Sequence, residues 1–584
     1  MNQDWFEMRE VRRQVLDGAV WILLRAVTYL RIVGRPGYVG FEEEFFGVGT
    51  LAVPVDAIPQ ASQLDWNDVG IGHQHRPFVD EGVFVPSDSF IPATGEYQGV
   101  HLVLDQHLNR AEPSEWHIHH DLVLGLGLKR EGDLWLCPDE GYALVARLTR
   151  RPDGDPALLE FRSEHLKDFL CARGMALYAT SYRNRRAITQ DASFVKWAGE
   201  PIVERSDIDR WEGRVTRIHE GGFFSEGVRV VRTARTDIGP EDDVPTVGPL
   251  DANIVSESFT IEPSGAEVSA ISGELWRCEW VMPARTSPRV ARDQVEPDVS
   301  YVIDAAGTRA PATALRDAGR WLWFKPQLID ALANRRGGGL SWYTSDTGSV
   351  WSSPDMEVHF GINDLGLINV FAKDVAVLPE WQQKLWAAYN VGPEGGVSDE
   401  LLASQARANP ASTQAPEEFL LAGIEDLNRV SMEKLGFALF VPHEKTHTIA
   451  SHCTRFRATI EGGLFALAKD LARLTADSLD RDGLHTHLGL PKGDPLGSLK
   501  SLERLLARKT GDERARALLT PLVAIYDLRL ADAHLPAADV VNALGLAGID
   551  PDAPQVHQGW QLLNACVSGL YAILAELRSW PPHQ

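Results

Sequence analysis

Tyr526-Asp527-Leu528-Arg529-Leu530-Ala531-Asp532-Ala533-His534 closes a helical pattern that starts at Glu513 and is stopped by Pro536, since proline removes a helical donor and clashes with the preceding turn. Working outward, everything beyond about residue 450 reads as helical. Residues 459–479 carry Leu464, Leu467 or Ala468, Leu471 and Leu474 at helical spacing. Residues 499–506 give a second helix, 513–534 the third, and 557–577 a fourth. These residues predict an all-α bundle over 441–584, at the end of a chain whose earlier part follows a different period.

From about residue 40 to 374 the pattern is one of short β-type runs, such as Gly99-Val100-His101-Leu102-Val103-Leu104 and Leu367-Ile368-Asn369-Val370-Phe371, broken by Gly, Pro and Asp turns. Two segments align with a single one-residue gap. Phe161-Arg162 is followed by Leu166, Asp168, Leu170 and Arg173; Phe324-Lys325 is followed by Leu328, Asp330, Leu332 and Arg335. Each reads as strand, short helix, glycine turn, strand, with Gly174 and Gly337-Gly338-Gly339 ending the helices. The fold class expected is α+β: a β-rich N-terminal region with a duplicated strand-helix-strand module, then the all-α bundle. The expected divisions are an α+β segment over 1–114, module copies over 115–235 and 298–390, and a linker or edge segment over 236–297 between Gly239-Pro240 and the loop at Arg285-Thr286. A linker and connecting helix follow over 391–440, preceded by a helix over 379–390 that opens on Pro379.

With 584 residues, 44% of them apolar, the chain has material for more than one core. Its formal charge of -24 argues against broad binding to nucleic acid, which needs a basic footprint. The charge is unevenly spread: from Ser451 onward, 14 Lys and Arg face 15 Asp and Glu, so the acidity belongs to the first 450 residues. The apolar cluster Gly18-Ala19-Val20-Trp21-Ile22-Leu23-Leu24 is too short for a membrane span and has the wrong flanks for a signal peptide. Five scattered cysteines show neither disulfide nor thiolate-metal spacing. These features lead to the expectation of a cytoplasmic protein with no membrane contact. Most of the 17 tryptophans precede the bundle, where aromatic residues serve partner binding.

Arg529 and His534 are the first candidates for chemistry. An arginine keeps its charge and grips a phosphate as a planar fork, while a histidine titrates near neutrality and moves protons. The spacing alone is common: Arg214 to His219 and Arg578 to His583 repeat it, the first in a strand pattern and the second across Trp580-Pro581-Pro582. Only Arg529 and His534 share a helical pattern. At roughly 100° per residue they lie about 140° apart around the helix, so one compact site requires a second helix.

The segment from about 450 to 580 resembles the HEPN family, four-helix domains that often dimerise and whose active members are ribonucleases. Arg529 and His534 stand where that family has its Arg-x4-6-His motif. The residue after the arginine is usually polar there and is Leu530 here, and Asp532 is the residue placed to supply the missing polar contact. The resemblance implies a metal-independent endoribonuclease with no cofactor, an RNA substrate and a homodimer formed through the bundle. Arg529, His534 and Asp532 are then the catalytic residues, with the ribose 2′-hydroxyl attacking the adjacent phosphate. It further implies a toxin or antiphage effector restrained by an N-terminal sensor. The N-terminal region itself resembles bacterial proteins to which no activity attaches. The rival reading is a non-catalytic scaffold that dimerises through the bundle, with Arg529 paired to Asp532 or Asp527 and His534 capping the helix.

Two metal patterns are weaker. His443-Glu444-Lys445-Thr446-His447 is an H-E-x-x-H, but Pro442 and Lys445 suit a zincin helix poorly. His117 and His119 would share a strand face and lack a matched third ligand. No metal site is therefore expected, nor a nucleotide loop at Gly337-Gly338-Gly339, which no Lys-Ser/Thr follows.

Overall fold

A computed structural model of the chain describes residues 2–16, 18–71, 75, 77–80, 82–92, 95–106, 114–221, 228–235, 254–261, 265–295, 297, 299–354, 356–441, 444–531 and 537–582. It divides into two compact units, Met1–Val295 and Glu296–Gln584. Strands dominate the first and helices the second, giving the α+β class expected.

The first unit is built on one large sheet. Its main strands are β1 (Trp21–Val33), β2 (Glu42–Pro54), β3 (Lys129–Glu131), β4 (Leu134–Cys137), β5 (Ala143–Arg150), β6 (Pro156–Arg162), β7 (Met175–Thr189), β8 (Ile202–Arg205), β9 (Asp209–His219) and β10 (Glu267–Val281). Their order is β8-β9-β10-β7-β2-β1-β6-β5-β4-β3. The apolar cluster near residue 20 thus opens a central strand. Glycines let helices lie close on both faces: a Cβ at Gly49 would come 2.1 Å from the Val69 carbonyl oxygen, and one at Gly273 would come 2.2 Å from that of Phe6. Phe6 belongs to α1 (Gln3–Glu7), and its carbonyl also accepts the Trp211 indole N–H at 2.9 Å. Helix α2 (Ser163–Arg173) follows β6 and buries Leu166, Phe169 and Leu170 against Ile22, Leu159 and Phe161.

One expectation is corrected here. Residues 267–281 were read as part of a linker or edge segment, yet β10 lies inside the sheet, paired with β7 from Leu177↔Val281 to Thr189↔Ser269 and with β9 on its other side. Glu274, Arg277 and Glu279 break the apolar run that would have announced a central strand. The fold absorbs them by pairing: Arg277, 6% exposed, donates to the Val11 carbonyl and meets Glu279 at 3.1 Å.

The second unit contains an antiparallel sheet of β11 (Trp321–Phe324), β12 (Gly339–Trp342), β13 (Thr347–Trp351), β14 (Val358–Ile362), β15 (Ile368–Phe371) and β16 (Asn390–Val391), ordered β12-β13-β14-β15-β11-β16. Helix α3 (Gln327–Ala333) joins β11 to β12. The two segments compared by sequence are both strand-helix-strand, β6-α2-β7 and β11-α3-β12, and their sheets pair them differently. Two strands separate β6 from β7, which run antiparallel; three separate β11 from β12, which run parallel.

The bundle comprises α4 (Leu420–Leu435), α5 (Gly463–Leu474), α6 (Arg481–Leu488), α7 (Ser498–Thr510), α8 (Asp512–Ala531), α9 (Ala537–Leu546) and α10 (Gln555–Arg578). Leu420, Leu427 and Leu435 of α4 share its core with Leu467, Leu505, Leu528 and Leu570. The bundle therefore begins near 420, ahead of the 441 boundary read from sequence, and the helix assigned there to a connection over 391–440 is α4, part of its core. Helix α10 is long and apolar enough to cross a membrane by length and composition alone. Its buried residues, from Leu562 to Leu577, pack into this core.

Candidate functional site

Helix α8 is the axis of the bundle. Ala515, Leu519, Leu522, Ile525 and Leu528 are buried at helical spacing, and the helix packs on α5, α7, α9 and α10. Arg529 follows the last buried leucine and comes out at the helix end, its side chain 23% exposed. Two groups hold it. Tyr526, one turn earlier, lies under the guanidinium at 4.5 Å, and the Asp477 carboxylate, from the turn after α5, forms an ion pair with it.

The sequence reading paired Arg529 with Asp532 or Asp527, and the described partner is Asp477. Asp527 lies on the same helix, where burial pushes its carboxyl up from the ordinary range with help from Asp539. Asp532 and His534 lie outside the described residues. Leu530, where a polar residue was sought, is 39% exposed, and α9 exposes Val541 and Leu546.

Among the described residues the other candidates form no site. Arg214 and His219 both lie in strand β9; Arg578 ends α10 and reaches Asp426 at 3.4 Å, while His583 lies outside the described residues. In the H-E-x-x-H segment, His443 is likewise outside them, and the helix Thr446–His452 starts only after Glu444 and Lys445, so the pattern does not sit on one helix as zincin geometry requires. His117, within the strand Glu115–Ile118, bonds Gln106 at 2.8 Å. His119 has left that strand to cap the helix His120–Gly125 and bonds Asp88 at 2.7 Å.

A cavity of about 590 Å³ opens in the second unit, lined by Asp330, Trp342, Glu417, Glu418 and His452 among others, with no lysine or arginine among the described residues of its wall. That charge does not suit a phosphate. Behind it Arg455, fully buried, forks onto Glu417 with two bonds of 2.8 Å, donates to the Ser345 carbonyl at 2.8 Å and covers Trp342 at 4.2 Å.

Sequence reasoning passed over one constellation in the first unit. Cys137 ends β4, Glu140 closes the following turn Pro138–Glu140, and His165 stands in the first turn of α2; their donor atoms all lie within 4.8 Å of one another. The His165 Nε2 is 3.1 Å from Glu140 Oε2, and Arg289 bridges Glu140 Oε1 at 2.5 Å to Asp168 at 2.9 Å. Burial acts to raise the Glu140 carboxyl, but the hydrogen bond and charge of His165 and the charge of Arg289 outweigh it and hold the group at about 2. Burial, then Glu140, pushes the Cys137 thiol up. Cys137-x-x-Glu140 was the only local signal, with no second pair to complete a motif.

Comparison with family models, with curated proteins and with solved structures returns no match to this chain.

Proposed function

We propose that the helical bundle is a HEPN-like, metal-independent endoribonuclease domain, controlled by a first unit that senses or binds a signal, in the manner of a toxin or antiphage effector. The observation that carries this reading is Arg529, a cation delivered to the bundle surface by its central helix and steadied by Tyr526. Such a guanidinium is placed to hold a phosphate between two nucleotides. His534, five residues on, takes the proton of the ribose 2′-hydroxyl as its oxygen attacks phosphorus. The bond to the 5′-oxygen breaks, and a histidinium from a second copy protonates that leaving oxygen. The products are a 2′,3′-cyclic phosphate and a 5′-hydroxyl. Leu530 beside Arg529, and Val541 and Leu546 on α9, are exposed apolar side chains that support docking of a second copy.

The second reading, a dimerising scaffold, is favoured by Asp477, which already neutralises Arg529. Purified wild type, Arg529→Ala and His534→Ala protein incubated with total RNA in EDTA separate the two. The nuclease reading expects cyclic-phosphate fragments from wild type alone. The absence of fragments from wild type at every protein concentration and with infected-cell extract added would overturn it.

A further inference from the structure

We infer that Cys137, Glu140 and His165 form a divalent-cation site of the zinc class in the first unit, independent of the helical bundle. Three donor types meet within 4.8 Å: a sulfur, a carboxylate oxygen and an imidazole nitrogen, with Cys137 4% and His165 1% exposed. Zinc takes this mixture, where magnesium and calcium require oxygen alone. With zinc bonds of roughly 2.0–2.3 Å, tetrahedral donors sit about 3.3–3.6 Å apart. The His165–Glu140 separation is already 3.1 Å, and drawing in Cys137 closes a gap by about 1.5 Å at most.

The His165 ring faces Glu140 through Nε2, so Nε2 is the nitrogen offered to the cation, and Nδ1, 3.7 Å from Glu164, is the one left for an orienting outer contact. Glu140 is fixed by Arg289 through Oε1, leaving Oε2 for the cation.

The charges close as well. Arg289 is balanced by Asp168, and a dication is balanced by the Glu140 carboxylate and a Cys137 thiolate, with His165 neutral. Three protein donors leave a fourth position for water, and Glu140, with 18% of its side chain exposed, marks the side open to solvent.

The test uses the intact chain, stripped with a chelator and titrated with zinc and with cobalt(II). One equivalent of zinc per chain is expected, with a near-ultraviolet thiolate-to-cobalt band that disappears in Cys137→Ser. Zinc affinity should fall roughly tenfold or more in Cys137→Ser and in His165→Gln, in line with losses at ligand shells. Zinc-edge absorption of the wild type, which needs no variant to fold, is expected to show one sulfur with nitrogen and oxygen neighbours. A shell without sulfur, or no stoichiometric uptake, would overturn the proposal and leave an ion-pair network only.

Discussion

Arg529 and Asp477, 52 residues apart in the chain, meet as an ion pair at the end of the bundle's central helix. The pair sits where a phosphate would be gripped in the proposed nuclease, so the carboxylate competes with substrate for the same fork. Both partners are partly solvated, and a pair of that kind contributes at most about 1 kcal/mol to stability. Asp477→Asn is expected to leave the denaturation midpoint nearly unchanged while raising RNA cleavage severalfold. Comparing urea midpoints and cleavage rates of the two proteins checks this; a scaffold would show neither gain nor cleavage.

Glu417 offers a contrast, because its partner is buried. Arg455 has no exposed surface and Glu417 7% of its side chain, and the two are joined by paired hydrogen bonds. Removing the carboxylate leaves the buried guanidinium with only the longer contact to Asp346 at 3.4 Å and the Ser345 carbonyl. Glu417→Ala is expected to cost about 3–5 kcal/mol, read as a lowered urea midpoint of the second unit.

Two glycines in helices of the bundle should respond oppositely to the same change. A Cβ at Gly559 would lie 2.5 Å from the Arg455 carbonyl oxygen, so Gly559→Ala forces backbone apart and should destabilise by roughly 1–3 kcal/mol. Gly545, exposed in α9, has nothing within 4 Å of that position, and Gly545→Ala should stabilise by about 0.5–1 kcal/mol through the lost freedom of the unfolded chain. Calorimetric melting of both variants tests the pair.

Acid should weaken the first unit through His101. Burial lowers this ring from 6.5 to about 4, a hydrogen bond at the Thr50 backbone acting against it and the charge of Arg25 with it. The fold thus holds the neutral ring, and the unfolded chain binds the proton first. The contribution is complete above pH 6.5 and is lost as pH falls from 6.5 to about 4, by up to about 3 kcal/mol. His101→Gln should flatten the stability profile across that window, measured by denaturation at stepped pH.

The helical part of the fold was legible because its apolar period is carried by leucines that end up in the core. The helices read at 499–506 and 557–577 are Ser498–Thr510 and Gln555–Arg578. Strand β10 was not legible, since its buried charges are neutralised by neighbours that no local window contains. Arg529 could be placed at a helix end from sequence, while Asp477 could not be found, because a contact across 52 residues leaves no periodicity. Cys137, Glu140 and His165 were hidden for the same reason: the pairing of β4 with β5 and of β5 with β6 brings them together.

Arg455 lies in the short turn Arg455–Thr459, between the helices and the six-stranded sheet of the second unit, and its neighbour Phe456 belongs to the sheet's core along with Val556 of α10. A protease that nicked the chain in the stretch ahead of α4 would leave the two pieces still clasped. A cut there is therefore expected not to release the helices from the sheet. Limited digestion followed by gel filtration should recover nicked fragments travelling together as a single species.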